Sequence, residues 1–179
     1  IRQAIFQVVS IFTTTGFATT QFSEWPSILP YLLILGAFAG ACAGSTGGGL
    51  KIIRVLLIYK QGLREIYRLI HPNAIFPIKV SGRKMTDNVI DAVWGFFSIY
   101  ILLFIVLLLS LIATDLDFVT AFSAVGSAMN NLGPGLGKVA ENYSEISSTA
   151  KILLCLGMVL GRLEIFTILV LFTTMFWRK

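Results

Sequence analysis

Charge is scarce in this chain. Of 179 residues only 13% are Asp, Glu, Lys or Arg, while 56% are apolar. A soluble domain carries about 25% charged residues, so the surface lacks much of the charge that water requires. That excludes a water-soluble enzyme, a disordered linker and a collagen-like fibre. Histidine is limited to His71, beside Pro72 in a polar stretch. Cysteine is limited to Cys42 and Cys155, both inside apolar runs. They fit no metal spacing and offer no disulfide framework. The sequence holds no Ser/His/Asp set, no metal-ligand cluster and no nucleotide-binding glycine fingerprint. It is not read as an enzyme, and no covalently bound cofactor is expected. A signal peptide would need a basic n-region, a short apolar core and a cleavage site, and none is visible. The chain begins at Ile1 with an apolar stretch already under way, which is read as an internal or C-terminal piece of a longer protein.

Long apolar runs are what the chain has instead, with a mean hydropathy of +0.84. Crossing a bilayer takes about 20 apolar residues, and three segments are long enough. Ala92 to Thr114 carries no charge, Ile28 to Leu50 carries none either, and Ala150 to Trp177 holds Arg162 and Glu164 near its middle. The segments Ile1–Phe12 and Phe118–Met129 are too short to span and read as buried or re-entrant helices. Each runs into a polar, glycine-containing stretch: Thr13-Thr14-Thr15-Gly16-Phe17 after the first, Asn130-Asn131-Leu132-Gly133-Pro134-Gly135 after the second.

Basic residues outnumber acidic ones, 14 to 9, but unevenly. Lys51, Arg54, Lys60, Arg64, Arg68, Lys79, Arg83 and Lys84 form one basic stretch opposed only by Glu65. The connections at Gln21–Trp25, Asp115–Asp117 and Lys138–Lys151 hold mainly acids. The positive-inside rule then puts the basic stretch and the C-terminus in the cytoplasm. The short helices enter from outside. Trp25 and Trp177 fall at opposite interfaces, where aromatic belts lie.

An internal repeat fits this layout. Shifted by 117 positions, Ala4, Val8, Ser10 and Gly16 fall on Ala121, Val125, Ser127 and Gly133. Shifted by 121, Leu32, Leu33, Leu35, Gly36 and Gly40 fall on Leu153, Leu154, Leu156, Gly157 and Gly161. The unit is a span, a re-entrant helix, a glycine stretch and a second span. The sequence is divided accordingly. Residues 1–59 are a pore helix, filter and broken second span; 60–87 a basic cytoplasmic connection; 88–179 a complete repeat.

Irregular backbone at membrane depth is tolerated only where protein buries it or it lines a watery cavity. A short helix that descends and returns as extended chain can present carbonyls in place of a cation's hydration shell, as four loops do in a potassium filter. Glycine reaches the backbone angles this needs at low cost, and the helix C-terminus aims its negative end at the path. Thr14-Thr15-Gly16-Phe17-Ala18 and Asn131-Leu132-Gly133-Pro134-Gly135 follow the Thr-Val-Gly-Tyr-Gly pattern with substitutions. The plainer reading is an ordinary turn between a buried helix and a span.

Five glycines among Gly40–Gly49 lie inside what would be a spanning helix. Each costs about 1 kcal/mol relative to alanine, so a continuous helix is not expected. A P-loop fails, because Lys51 precedes Ile52 rather than Ser or Thr, and no strand leads in. Tight packing of small residues between helices is the structural alternative. Arg162 costs about 2.5–3.5 kcal/mol at a helix centre on insertion scales, so it must face a cavity, an anion or a buried partner. Glu164, two positions on, points to the other face. The arginine is read as facing the path or as half of an ion pair between repeats. The basic stretch is either topogenic charge beside anionic lipid or a docking surface for a cytoplasmic regulator.

The stretch Gly157-Met-Val-Leu-Gly161-Arg162-Leu-Glu164-Ile-Phe, with Gly44-Ser-Thr-Gly-Gly-Gly49 and the two loops, resembles the Trk/Ktr/HKT superfamily of potassium transporters over essentially the whole chain. The resemblance implies an all-α integral membrane protein with potassium-channel-like repeats of span, re-entrant pore helix, filter loop and span. Four repeats are expected in one polypeptide, this chain supplying the end of the third and all of the fourth. It implies potassium as the transported ion, held at Thr14, Thr15, Asn131 and Leu132 within filter loops Thr14–Phe17 and Asn131–Pro134. The family keeps one glycine per filter loop, here Gly16 and Gly133. Members with serine there lean toward sodium, so these loops favour potassium. The fourth loop departs from the pattern in having Asn131 where Thr14 sits. Gly44, Ser45, Thr46, Gly47, Gly48 and Gly49 would form an intramembrane gate, with Arg162 facing the path below the filter. A homodimer on a ring of nucleotide-binding, TrkA-like regulatory subunits is also implied. The expected setting is the bacterial inner membrane, multi-pass and in contact with lipid, with no nucleic-acid partner. Two rivals stay open. One is a secondary transporter using Gly40–Gly49 as a midplane site. The other is a membrane subunit of structural or assembly role only.

Overall fold

A computed structural model describes residues 1–26, 28–40, 48–74, 76–80, 82–163 and 177. Six helices and one small hairpin follow in order among them: α1 Arg2–Phe12, α2 Leu29–Phe38, α3 Ile52–Ile70, β1 Lys79–Val80, β2 Arg83–Lys84, α4 Asp87–Ile112, α5 Phe118–Asn130 and α6 Ser148–Arg162. Short 3₁₀ turns sit at Phe22–Glu24 and Gly137–Val139.

Helix α4 has 26 residues and, at 1.5 Å per residue, is about 39 Å long. It is the one described helix long and apolar enough to cross a membrane. Ile101, Leu102, Ile105, Val106 and Leu109 leave much of its surface apolar and exposed. The expected span Ile28–Leu50 is interrupted, since α2 ends at Phe38 after ten residues. Pro30, near its start, needs no helical N–H partner there. Residues 41–47, including Cys42, Gly44, Ser45, Thr46 and Gly47, lie outside the described residues. So does most of the expected third span beyond Leu163, including Glu164.

The boundary expected between residues 59 and 60 falls inside α3, and much of the basic connection is helix rather than loop. Helix α3 is amphipathic. Leu57 packs with Ile78, Ile90 and Val93 in a small cluster under the hairpin. Arg64 pairs with Asp87 at 2.9 Å, Lys60 donates to the Lys79 carbonyl at 2.6 Å, and Arg54 lies 4.1 Å over the Phe96 ring. The basic helix is thereby fixed along the start of α4.

Helix α5 is the centre of the molecule. Its N-cap is Asp117, whose carboxylate accepts from the Thr120 N–H at 3.0 Å. Residues Thr120, Ala121 and Ser123 through Asn130 are buried. Their small side chains admit close neighbours: α4 and α6 on one side, sharing a core of Leu107, Leu111, Ala124, Val125, Ala128 and Leu154, and the Phe38 ring at Gly126 on the other. A second core joins Ile11, Leu33, Ile34 and Ala37 of α1 and α2 to Leu132 and Leu136 from the chain after α5.

Candidate functional site

Both short helices end in a left-handed residue followed two positions later by a glycine of positive φ. After α1 these are Thr14 (φ 54°) and Gly16 (φ 82°); after α5 they are Asn131 (φ 53°) and Gly133 (φ 103°). The hydrogen bonds agree as well. Thr14 N–H donates to the Ile11 carbonyl at 3.1 Å and Thr15 N–H to that of Ser10 at 2.8 Å. Asn131 N–H donates to Ala128 at 3.0 Å and Leu132 N–H to Ser127 at 2.9 Å. Every one of these residues in the second loop lies 117 positions after its counterpart in the first. Asparagine tolerates the left-handed region, whereas a β-branched threonine is strained in it. The residue that departed from the threonine pattern therefore occupies the easier side of the pair.

The loops meet. A Cβ on Gly16 would run into the carbonyl oxygen of Leu132, so only glycine lets this carbonyl lie against the first loop. The side chain of Leu132 passes the other way, into the core under α1 and α2. Gly133 has open space where its own Cβ would be. Phe17 is 73% exposed. Past the loops a cavity of about 630 Å³ is lined by Gly16, Thr19, Thr20, Gly133, Pro134 and Tyr143. Gln21 bonds to Glu141 at its rim, joining the two halves of the chain.

Side chains behind the loops hold their carbonyls. Ser10 Oγ donates to the Phe17 carbonyl at 2.6 Å and Gln7 Nε2 to that of Thr20 at 2.6 Å. Tyr143 Oη donates to the Gly133 carbonyl at 2.7 Å. Burial pushes the Tyr143 phenol above its ordinary value, so its proton is present at neutral pH. Asn131 Nδ2 donates to the Met158 carbonyl on α6 at 3.2 Å.

The end of the glycine stretch lies at the foot of α5. A Cβ on Gly48 would strike the Asn130 backbone carbonyl, and one on Gly49 (φ 82°) the Asn130 side-chain oxygen. Leu50 N–H returns to the Phe38 carbonyl at 3.2 Å. Asn130 is fully buried, accepts from Tyr100 Oη at 3.2 Å, and leaves its Nδ2 without a hydrogen-bond partner. A paired relation recurs at the helix ends: Gly40 abuts the Phe12 carbonyl and Gly161 abuts that of Met129. Phe12 and Met129 are themselves 117 positions apart. Arg162, the last residue of α6, follows Gly161 directly and is exposed.

The structure thus brings Thr14–Phe17 and Asn131–Pro134 together and sets Gly48 and Gly49 one residue from the second loop. Gly44–Gly47 fall outside the described residues. Ser10, Asn130, Tyr100 and Tyr143 were not singled out from the sequence for these contacts. For Ser10 a signal existed, because it recurs as Ser127 in the repeat. For Tyr143, ten positions beyond Gly133, no local pattern announces the contact.

A long apolar helix and two short helices turned back at glycine loops define a mostly helical membrane protein. A family of cation transport proteins, TrkH, matches residues 1–179. The Trk system potassium uptake protein TrkH of Escherichia coli (strain K12) is 55% identical over 179 residues, covering 100% of this chain and 37% of that protein. The TrkH protein of Halomonas elongata is 54% identical with the same coverage. The crystal structure of the potassium transporter TrkH from Vibrio parahaemolyticus matches with a TM-score of 0.90 and 56% identity, over 98% of this chain and 38% of that one. The chain belongs to the TrkH family. It spans a little over a third of the relatives' length, 37% of each.

Proposed function

We propose that the protein containing this chain takes up potassium across the cell inner membrane, and that the chain supplies two of the loops around the ion path. The observation that carries this is the pair of loops with matching backbone, packed carbonyl to glycine at Leu132 and Gly16. The relatives' names support potassium as the ion.

Hydrated potassium collects in the outer cavity and exchanges water for backbone oxygens of Thr14, Thr15, Asn131 and Leu132, with Gly16, Phe17, Gly133 and Pro134 shaping the loops. The C-terminal ends of α1 and α5 add their negative dipole ends. Membrane potential favours inward movement by about 2.3 kcal/mol per charge per 100 mV. Rotation from the third repeat to the fourth puts one loop's carbonyl against its neighbour's glycine. The open side of Gly133 suits another such carbonyl, from a repeat outside this chain. The gate is assigned to Gly44–Gly49 and Arg162. Its support is that Gly48 and Gly49 press on Asn130, and that Gly161 seats Arg162 at the foot of α5. The basic face of α3 lies on the cytoplasmic side with the C-terminus, beside lipid. It is the surface for a TrkA-like regulatory ring under a homodimer.

Rubidium uptake by the full-length protein in potassium-uptake-deficient bacteria tests the filter. Gly16→Ser and Gly133→Ser, at matched membrane expression, are expected to lose uptake or shift toward sodium. Normal selective uptake in both sinks the assignment. Saturable uptake of an organic solute would then favour a transporter with a midplane site at Gly40–Gly49.

A further inference from the structure

The two loops solve one problem with different side chains. In the first, Ser10 Oγ reaches forward from α1 and donates to the Phe17 carbonyl at 2.6 Å. The corresponding residues in the second loop, 117 positions on, are Ser127 and Pro134. Ser127 Oγ is buried there and makes no such bond to its own loop; it lies beside the Tyr143 hydroxyl. The donor comes instead from further along the same repeat. Tyr143, in the connection before α6, places its Oη 2.7 Å from the Gly133 carbonyl. Its ring packs against the core around α5, and it stands between the outer cavity and a second, almost wholly apolar cavity of about 360 Å³ beside Leu154, Cys155 and Met158. The hydroxyl is therefore held by a packed ring and delivered to one carbonyl.

That carbonyl needs holding. Gly133 has φ 103°, and nothing within 4 Å where a side chain would be. A glycine has many accessible conformations; Pro134 narrows them by disfavouring helical angles at the residue before it, but no side chain packed against Gly133 completes the job. A carbonyl oxygen has two lone pairs. With one accepting from Tyr143, the plane is set, and with it the course of the loop that carries the Asn131 and Leu132 oxygens. Without the donor the plane can turn, and the spacing of oxygens offered to an ion is no longer fixed.

We propose that Tyr143 is a positioning residue for ion selection: its hydroxyl sets the orientation of the Gly133 carbonyl, as Ser10 does for the Phe17 carbonyl in the other loop. This rests on the filter reading of the loops. It goes beyond it by naming groups off the ion path that determine selectivity, and by making the two loops differ in how they are held.

The test is made on the full-length protein in proteoliposomes, measuring potassium, rubidium and sodium flux separately. Tyr143→Phe keeps the ring and removes only the donor. It is expected to lower the potassium-to-sodium flux ratio about fivefold, the weight of one hydrogen bond, with the amount of folded protein unchanged. Ser10→Ala acts on the other carbonyl, is expected to lower the ratio too, and gives a second reading if Tyr143→Phe reconstitutes poorly. Gly133→Ser is run alongside. If it alters the ratio while Tyr143→Phe and Ser10→Ala do not, the filter stands and the positioning role is overturned. If Gly133→Ser also leaves the ratio unchanged, both fall together. A uniform drop in all three fluxes at constant ratio in Tyr143→Phe marks a structural role and overturns the proposal.

Discussion

The carbonyl oxygen of Leu132 occupies the place that a side chain would take on Gly16. Two loops more than a hundred positions apart are thereby joined backbone to backbone, with no side chain between them. Alanine at Gly16 would meet both this oxygen and a positive φ of 82°. A left-handed backbone costs an L-residue roughly 1–2 kcal/mol by itself, and the clash with a backbone oxygen adds to it. Gly133→Ala meets only the backbone cost within this chain. In the full-length protein a neighbouring loop is expected to close on Gly133, so the two alanine variants should lower the unfolding temperature by similar amounts. A clearly milder Gly133→Ala would contradict a closed ring of loops.

Gly161 offers a sharper contrast with Gly62. A Cβ on Gly161 would strike the Met129 backbone carbonyl, while one on Gly62, in the interior of α3, has nothing within 4 Å. Gly161→Ala is expected to push α6 off α5 and lower folded yield. Gly62→Ala should raise stability by about 0.5–1 kcal/mol, the ordinary helix preference of alanine over glycine. Fluorescence-detected chromatography after a heating series reads both.

Asn130 is buried with its side-chain oxygen bonded to Tyr100 and pressed by Gly49. Tyr100→Phe should cost about 1 kcal/mol and Asn130→Ala about 1–3 kcal/mol, the range for a lost bond and a stranded buried partner. Because they share one bond, the double variant should cost less than the sum. Strict additivity in denaturant titrations would show that the bond contributes nothing.

The pH dependence is expected to include Asp117. Its carboxylate is held below the ordinary 3.8, first by the hydrogen bond from Thr120. A depressed folded pKa means that the stabilisation is complete above the unfolded value and is lost as pH falls through the folded one. Unfolding midpoints should therefore show no Asp117 contribution to their slope near neutrality and a loss only below about pH 4. Asp117→Ala removes the cap at a cost of about 1 kcal/mol and should flatten that acid limb.

The long apolar α4 and the short α1 and α5 are legible in the sequence, because apolar run length separates a span from a half-span. Gly16 and Gly133 are legible too, since their positions demand positive φ. Helix α3 is not: Arg54, Lys60, Arg64 and Arg68 recur along it and break up the apolar stripe that seats Leu57 against Ile90 and Val93. Nor is Tyr143, because nothing in a local pattern says which tyrosine will reach a carbonyl ten positions back. Asn131 looked like a departure from the pattern of Thr14, yet its φ of 53° shows the same backbone met by a residue that accepts it more easily.

Leu132 belongs to two structures at once. Its oxygen faces Gly16, while its side chain is seated among Ile11, Leu33 and Ile34. Drawing the loops apart would have to pull that side chain from its seat, at about 1.5–3 kcal/mol for full exposure. The spacing of the loops is consequently governed from the dry side, by a greasy anchor, as well as by the exposed Gln21–Glu141 bond at the rim. Temperature and lipid, which act on greasy packing, should tune that spacing more readily than salt.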